Sequence, residues 1–389
     1  MKNEIVQIEL TPIFVPFKEM VRKAMGEGEG ELGMAIPAEE AWLGGDFAIL
    51  KLIDNEGNVG LGESFVWLPE SGVSPEQIID AIKGGLANYV VGENPFNIEK
   101  INFRMDNNIA RSENAKGLLD MACYDLMGKI TGLSACCFMG GRNVDEIPLA
   151  ALIPLGDPML MKGIVRSYYK KGWRTFRLKL GSSIKEDVEI CEKLRKTFGN
   201  EIRLRVDYNQ AYTPYQAVRA IKAIEPFGID YAEQPVNKED YLGMAYVQKR
   251  VDTPLMSHEG YSSVRDFITL VELGAVGVLG INSERPGGVT KAIKALNYAV
   301  CKGLSVVLHN QPLGIASAMH IHFHAGNYYA IEHATELFGQ EMMEDDLIVN
   351  PIDYSGGTAK VPVGPGWGVE LDEKALQKYA KTPTVIIKK

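Results

Sequence analysis

Seven polar residues, Lys179, Asp207, Glu233, Glu259, Asn282, His309 and Glu332, each close a short apolar run, at steps of 28, 26, 26, 23, 27 and 23 residues. With IPLAALIPL ahead of them there are eight such runs, the others being TFRLKLG, RLRVDYNQ, DYAEQP, PLMSHEG, VGVLGINS, SVVLHN and YYAIEH. A step of about 25 residues is the length of one strand, one helix and two short loops. It comes without the side-chain signatures of the solenoid repeats. The spacing therefore predicts repeated βα units and a parallel sheet. Eight such units close into a barrel of the TIM type, whose strands deliver their C-terminal ends to one mouth, where active sites sit.

A chain of 389 residues exceeds the roughly 250–300 at which one core stops growing, so a second core is expected. The stretch before the barrel supplies it. EIVQIELTPIF and DFAILKLIDNEGNVGLGES alternate as strands, while SPEQIIDAIKGGLANYV and AKGLLDMACYDLMGKITG carry helical spacing, with Ser74 as N-cap and Pro75 at the first helical position. Between the strands, MGEGEGELGMAIPAEEAWLGG is too polar for a core and reads as a mobile loop. Gly28, Gly30 and Gly33 there fit GxGxxG, but the motif joins no strand to a helix and its glutamates would repel a pyrophosphate.

Hydrophobic residues at 46% and charged residues at 23% exclude disorder and fibrous repeats. The 41 basic against 50 acidic side chains, net charge −9, with no basic run, argue against nucleic acid. No apolar stretch approaches the roughly 18 residues a bilayer requires, and MKNEIVQIELTPIF lacks the order of a signal peptide, so no membrane partner and a cytoplasmic location are expected. Five cysteines without CxxC spacing read as reduced thiols.

Asp207, Glu233 and Glu259 end three consecutive predicted strands, and neighbouring strands lie about 4.8 Å apart. Three converging carboxylates repel one another unless a hard divalent cation such as Mg²⁺ joins them, with water and substrate completing its octahedron. A single acid at a strand end is as well explained by helix capping; three in step are not. Arg177 shares a face with Lys179. A lysine beside a second cation and a metal gives up its proton more readily, which makes Lys179 a candidate base. His309 lies across the mouth as a second acid/base group. His320, His322 and His324 fall in a helical stretch on different faces, where no metal site is expected.

The ordered set RVDYNQAY, YAEQP, SHEG, the double glycine of NSERPGGVTKA, and HNQPLG resembles the enolase superfamily, in its mandelate racemase branch. AKGLLDMACYDLMGKITGLSACCFMGG is similar to that family's last capping helix and its entry to the barrel. The resemblance implies an α+β capping domain over residues 1–133, whose loops within 16–45 close over a modified (β/α)7β barrel in 134–360, with 361–389 returning to the cap. It implies Asp207, Glu233 and Glu259 as Mg²⁺ ligands, Lys179 as the second lysine of a Lys-x-Lys motif, His309 as the histidine of a His-Asp dyad, and Glu332 as the acid bonded to the substrate carboxylate. Family members remove the proton α to a carboxylate, and the metal stabilises the enediolate. Arg177 and Asn209 are assigned to substrate binding.

Two positions depart from the family pattern. Arg177 stands for the first lysine, and Asn282 for the dyad aspartate or, in the muconate cycloisomerase branch, a lysine. Asn282 orients His309 without charging it, which disfavours symmetrical racemisation. The expected reaction is dehydration of a hydroxycarboxylate, with His309 assisting loss of the β-hydroxyl. A racemase or epimerase is the alternative, and a non-catalytic metal-binding barrel or a Schiff-base aldolase using Lys179 are further readings. The expected partner is a small-molecule carboxylate, and the expected assembly a homo-oligomer.

Overall fold

The computed structural model describes residues 3–25, 32–33, 43–283 and 285–389. The loop glutamates Glu27, Glu29, Glu31, Glu39 and Glu40 lie outside the described residues. Long alternating runs build an antiparallel sheet in the order Val385–Lys388, Ile5–Pro16, Gly44–Asp54, Val59–Val66. One face of it, including Ile8, Leu10, Leu50 and Leu52, packs on Ile78 and Ile82 of helix Pro75–Gly84 and on Leu118 and Ala122 of helix Glu113–Thr131. The first of these helices starts where the sequence places it. The Ser74 side chain accepts from Gln77 N and the Gln77 side chain accepts from Ser74 N, with Pro75 in the first turn. Helix Glu113–Thr131 lies so close to strand Val59–Val66 that a Cβ on Gly60 would come within 2.3 Å of the Ala122 carbonyl.

The second unit is a ring of eight parallel strands hydrogen-bonded in sequence order: Ala150–Ile153, Thr175–Lys179, Arg203–Asp207, Ile229–Glu233, Leu255–Ser257, Val278–Ile281, Ser305–Asn310 and Glu336–Leu337. Ala150 N bonds Thr335 O at 2.9 Å and closes the ring. Below the mouth Tyr231, Met256, Val278 and Val307 form a compact cluster, the packed interior such barrels require. The first seven strands fall on the predicted runs. The eighth does not: YYAIEH carries a 3-10 turn over Tyr328–Ala330, with Tyr329 85% exposed, and the strand is Glu336–Leu337. That strand pairs with its neighbour over only two residues, His309 with Glu336 and Asn310 with Leu337. No apolar run marks it, because its inward residue is an acid.

The three histidines of HIHFH are buried in helix Gly314–Gly326. His322 bonds the Trp367 carbonyl and His324 the Thr335 hydroxyl. Burial pushes His320 down to about 3 and His322 and His324 down to about 4. Such rings stay neutral in the fold, whereas the unfolded chain binds a proton at each below about pH 6.5. Their contribution to stability is therefore whole above that pH and falls as pH drops from 6.5 toward 4. His320→Leu removes one proton from this difference. Its urea-unfolding free energy is expected to fall less than the parent's between pH 7 and pH 5, by between about 1 and 2 kcal/mol. Equal losses in the two proteins would contradict the assignment. Among the described residues no helix is long and apolar enough to cross a membrane.

Candidate active site

The mouth is built by strand periodicity. Register sets Lys179 beside Asp207, Asp207 beside Glu233, and Glu233 beside Met256, so His258, two residues past Met256, returns to the inner face. Arg177, 2% exposed, lies among three carboxylates. Its Nη1 donates to Glu336 Oε1 at 2.8 Å, and its Nη2 to Glu233 Oε1 at 2.7 Å and to Asp207 Oδ2. Lys179 Nζ donates to Asp207 Oδ2 at 2.6 Å and to Asn209 Oδ1 at 2.5 Å. The other end of that amide, Asn209 Nδ2, donates to Glu259 Oε1 at 3.0 Å. Asn209 has φ +41°, a left-handed conformation that asparagine adopts more readily than most residues.

Charge is distributed unevenly among these acids. Burial pushes the Asp207 carboxyl up, but the Lys179 and Arg177 cations outweigh it and hold it below its usual value. Burial dominates at Glu233, which is held well above its usual value despite Arg177, and it raises Glu259 to about 7 with help from Glu70 and Asp207. Both imidazoles at the mouth are driven the other way. Burial, then Arg285 and His309, press His258 well below the ordinary range, and burial, then Arg177 and Arg205, do the same to His309. The two rings pack against each other, tilted by 50° with 4.1 Å between centroids.

Two residues outside the sequence-based set complete the mouth. His258 Nε2 faces Asn282 Nδ2 at 3.1 Å and Arg285 Nη2 at 2.6 Å, so this nitrogen is the acceptor. Arg285 in turn donates to Glu70 Oε2 at 2.8 Å, which ties helix Leu68–Ser71 of the α+β unit to the barrel. Between the two units lies a cleft lined by Phe65, Trp67, Glu70, Glu259, Tyr261 and Arg285, so Glu259 is presented to it.

Among the described residues, the buried atoms here without a hydrogen-bond partner include Glu233 Oε2, Glu259 Oε2, His258 Nδ1 and His309 Nε2. Buried polar atoms are rarely left unpaired. Orphaned carboxylate oxygens beside orphaned imidazole nitrogens suit a divalent cation, with imidazoles where the resemblance implies carboxylate ligands for Mg²⁺. Among the described residues, Glu233, His258 and His309 form a group whose ligand atoms all lie within 4.8 Å of one another.

The chain matches the family model for the mandelate racemase/muconate lactonizing enzyme N-terminal domain over residues 41–140 and the enolase C-terminal domain-like model over 161–375. The chain belongs to this enolase-superfamily family. It is 31% identical to the N-succinyl-L-Arg/Lys racemase of Bacillus cereus over 331 residues, 85% of this chain and 89% of the relative. The crystal structure of that racemase superposes with a TM-score of 0.89 at 28% identity, covering 99% of this chain and 100% of the other. The dipeptide epimerase of Enterococcus faecalis, in complex with Mg and the dipeptide L-Leu-L-Tyr, gives 0.84 at 27% identity, covering 94% and 99%. Racemases, epimerases and cycloisomerases populate this company, and the chain is accordingly an enzyme of the isomerase kind.

Within this family barrel the sequence-based residues are placed as follows. Lys179, Arg177, Asp207, Asn209 and Glu233 meet at the mouth. Asp207 is turned to Arg177 and Lys179, and Glu259 to Asn209, so the expected triad of Asp207, Glu233 and Glu259 is not the group that closes to 4.8 Å. Asn282 contacts His258, a residue the sequence reading passed over although strand parity from Met256 singles it out. Glu332 requires correction: it is exposed, ahead of the eighth strand. The buried acid of that strand is Glu336, held by Arg177 at 2.8 Å and Arg205 at 3.3 Å. Glu332→Gln is therefore expected to leave turnover and melting temperature unchanged, whereas Glu336→Gln should cost about 2 kcal/mol through its charged hydrogen bonds. Thermal melting of both variants checks this, and a large loss on Glu332→Gln would restore that residue to the site.

Proposed function

We propose that the protein is a racemase or epimerase acting α to the carboxylate of an N-acylated amino acid or a dipeptide, with Lys179 and Glu259 as its two proton-transferring groups. The observation that carries this reading is the Asn209 amide held between them. With bonds of 2.5 Å and 3.0 Å at its two ends, the groups lie at most about 8 Å apart, and a carbon flanked by two such groups needs about 3–3.5 Å on each side. Glu259, raised to about 7, is poised to take or give a proton at neutral pH. Glu259 lines the cleft between the two units, whereas His309 packs against the His258 ring. The relatives named for N-succinyl-Arg/Lys and for dipeptides support the substrate class. A divalent cation at the mouth would supply the positive charge that stabilises the enediolate.

The test is incubation of single-enantiomer N-acyl amino acids and dipeptides with the enzyme and a divalent cation in D₂O. Deuterium at the α-carbon together with loss of optical purity is the expected result. Deuterium uptake with full retention would leave Lys179 as the only proton-transferring group and remove Glu259 from the proposal.

A further inference from the structure

The residues implied for Mg²⁺ by family membership are carboxylates, yet the side chains brought together at the mouth are chemically mixed. We propose that Glu233, His258 and His309 bind one divalent transition metal through one carboxylate oxygen and two imidazole nitrogens, and that this chain prefers Zn²⁺ or a similar borderline ion over Mg²⁺. Their ligand atoms lie within 4.8 Å of one another, which a single ion of about 2.0–2.2 Å bond length spans with a small inward movement. All three are more than nine-tenths buried, at 0%, 5% and 1% exposure. Each also carries a polar atom without a hydrogen-bond partner, Glu233 Oε2, His258 Nδ1 and His309 Nε2.

The donor set decides the metal. Mg²⁺ takes oxygen ligands in a near-ideal octahedron and keeps its waters. Imidazole suits the later first-row ions and zinc, whose affinities for a given site exceed those of manganese and lighter ions. Three protein ligands with an open position is also the form of catalytic rather than structural zinc sites. That open position leaves room for a substrate carboxylate.

One surrounding contact fits the assignment as it stands. Arg177 holds Glu233 Oε1 at 2.7 Å, which fixes the carboxylate with Oε2 left over. Another must change: ligation at His258 Nδ1 moves the ring proton to Nε2, so the Asn282 Nδ2 and Arg285 Nη2 donors, at 3.1 Å and 2.6 Å from that nitrogen, turn away from it, Arg285 keeping its bond to Glu70. The proposal deepens the reading of the mouth as a metal-assisted proton-transfer site. It rests on that reading for the metal's use, not for its binding.

The experiment needs no substrate. Full-length protein freed of metal by chelation is titrated with Co²⁺, and the visible d–d absorption is followed. Zn²⁺ and then Mg²⁺ are added as competitors. One Co²⁺ per chain is expected, displaced by one equivalent of Zn²⁺ and not by millimolar Mg²⁺. His258→Asp and His309→Gln, each checked for folding by circular dichroism, should weaken Co²⁺ binding by more than the roughly 10–100-fold that loss of an outer-shell partner costs. His258→Asp should also shift the preference toward Mg²⁺. Displacement of Co²⁺ by Mg²⁺ as readily as by Zn²⁺ would overturn the proposal in the parent protein alone. So would Co²⁺ spectra and affinities unchanged in both variants but lost in Asp207→Asn, which would assign an all-carboxylate site. Either result leaves the α-proton reading standing, because deuterium uptake measures that separately.

Discussion

Lys179→Ala is expected to abolish α-proton exchange, lowering it by about 10²–10⁴-fold, the usual worth of a positioned acid or base. The lysine is 4% exposed and its amine is fixed by Asp207 and Asn209. The loss should therefore appear in kcat for exchange more than in KM. Alanine leaves Asp207 with Arg177 as a partner, so the fold should survive. Proton NMR of the α-position in D₂O is the readout. Lys179→Arg separates base from charge: it keeps a cation beside Asp207 but cannot accept a proton near neutral pH, so it should be as inactive as alanine. Exchange in Lys179→Ala within a few-fold of the parent would place the base elsewhere.

Arg177→Met is expected to give the largest loss of stability in the barrel. The side chain is 2% exposed, and its guanidinium touches Asp207, Glu233 and Glu336, each 0% exposed. Removing the shared cation leaves buried like charges, a change that typically costs 3–5 kcal/mol. For a unit of this size the melting temperature should drop by on the order of 10 °C. Millimolar divalent cation should recover part of that drop, because an ion can enter the vacated space. Arg177→Lys should fall between, since one ammonium cannot reach three carboxylates through a planar fork. A melting temperature within 2–3 °C of the parent, in the window where a change of only about 1 kcal/mol lies, would show that the three acids are relieved by protonation instead.

Seven of the eight barrel strands could be read because each is an apolar run long enough to stand out between helices. Glu336–Leu337 could not, since a two-residue strand with an inward acid leaves no hydrophobic signature, and Tyr328–Ala330 supplied a false one. At the mouth, Asp207 and Glu233 were legible from residue type and step alone. Residue type favours Glu259 over His258 as a metal ligand, whereas inner-face alternation from Met256 favours the histidine. The partners of Asn282 and Arg285 are set by side-chain direction in a loop after the sixth strand, and one chain's sequence carries no signal for that. Glu70 reaches the site from another unit, more than 200 positions from Arg285, a contact that only the docking of cap on barrel creates.

The sheet of the α+β unit has a consequence for biosynthesis. Its edge strand Val385–Lys388 pairs with Ile5–Pro16, so the two partners leave the ribosome on either side of the whole barrel. At about 5–20 residues per second, the first strand waits roughly 20–75 s for its neighbour. During that interval its outer edge offers unpaired N–H and C=O groups, a template for joining another nascent chain. Helices Pro75–Gly84 and Glu113–Thr131 can cover one face of the three early strands meanwhile, but not that edge. Yield in cells should then depend on how fast translation reaches the final strand, and slowing the ribosome within the barrel's codons should favour aggregation without changing a single amino acid.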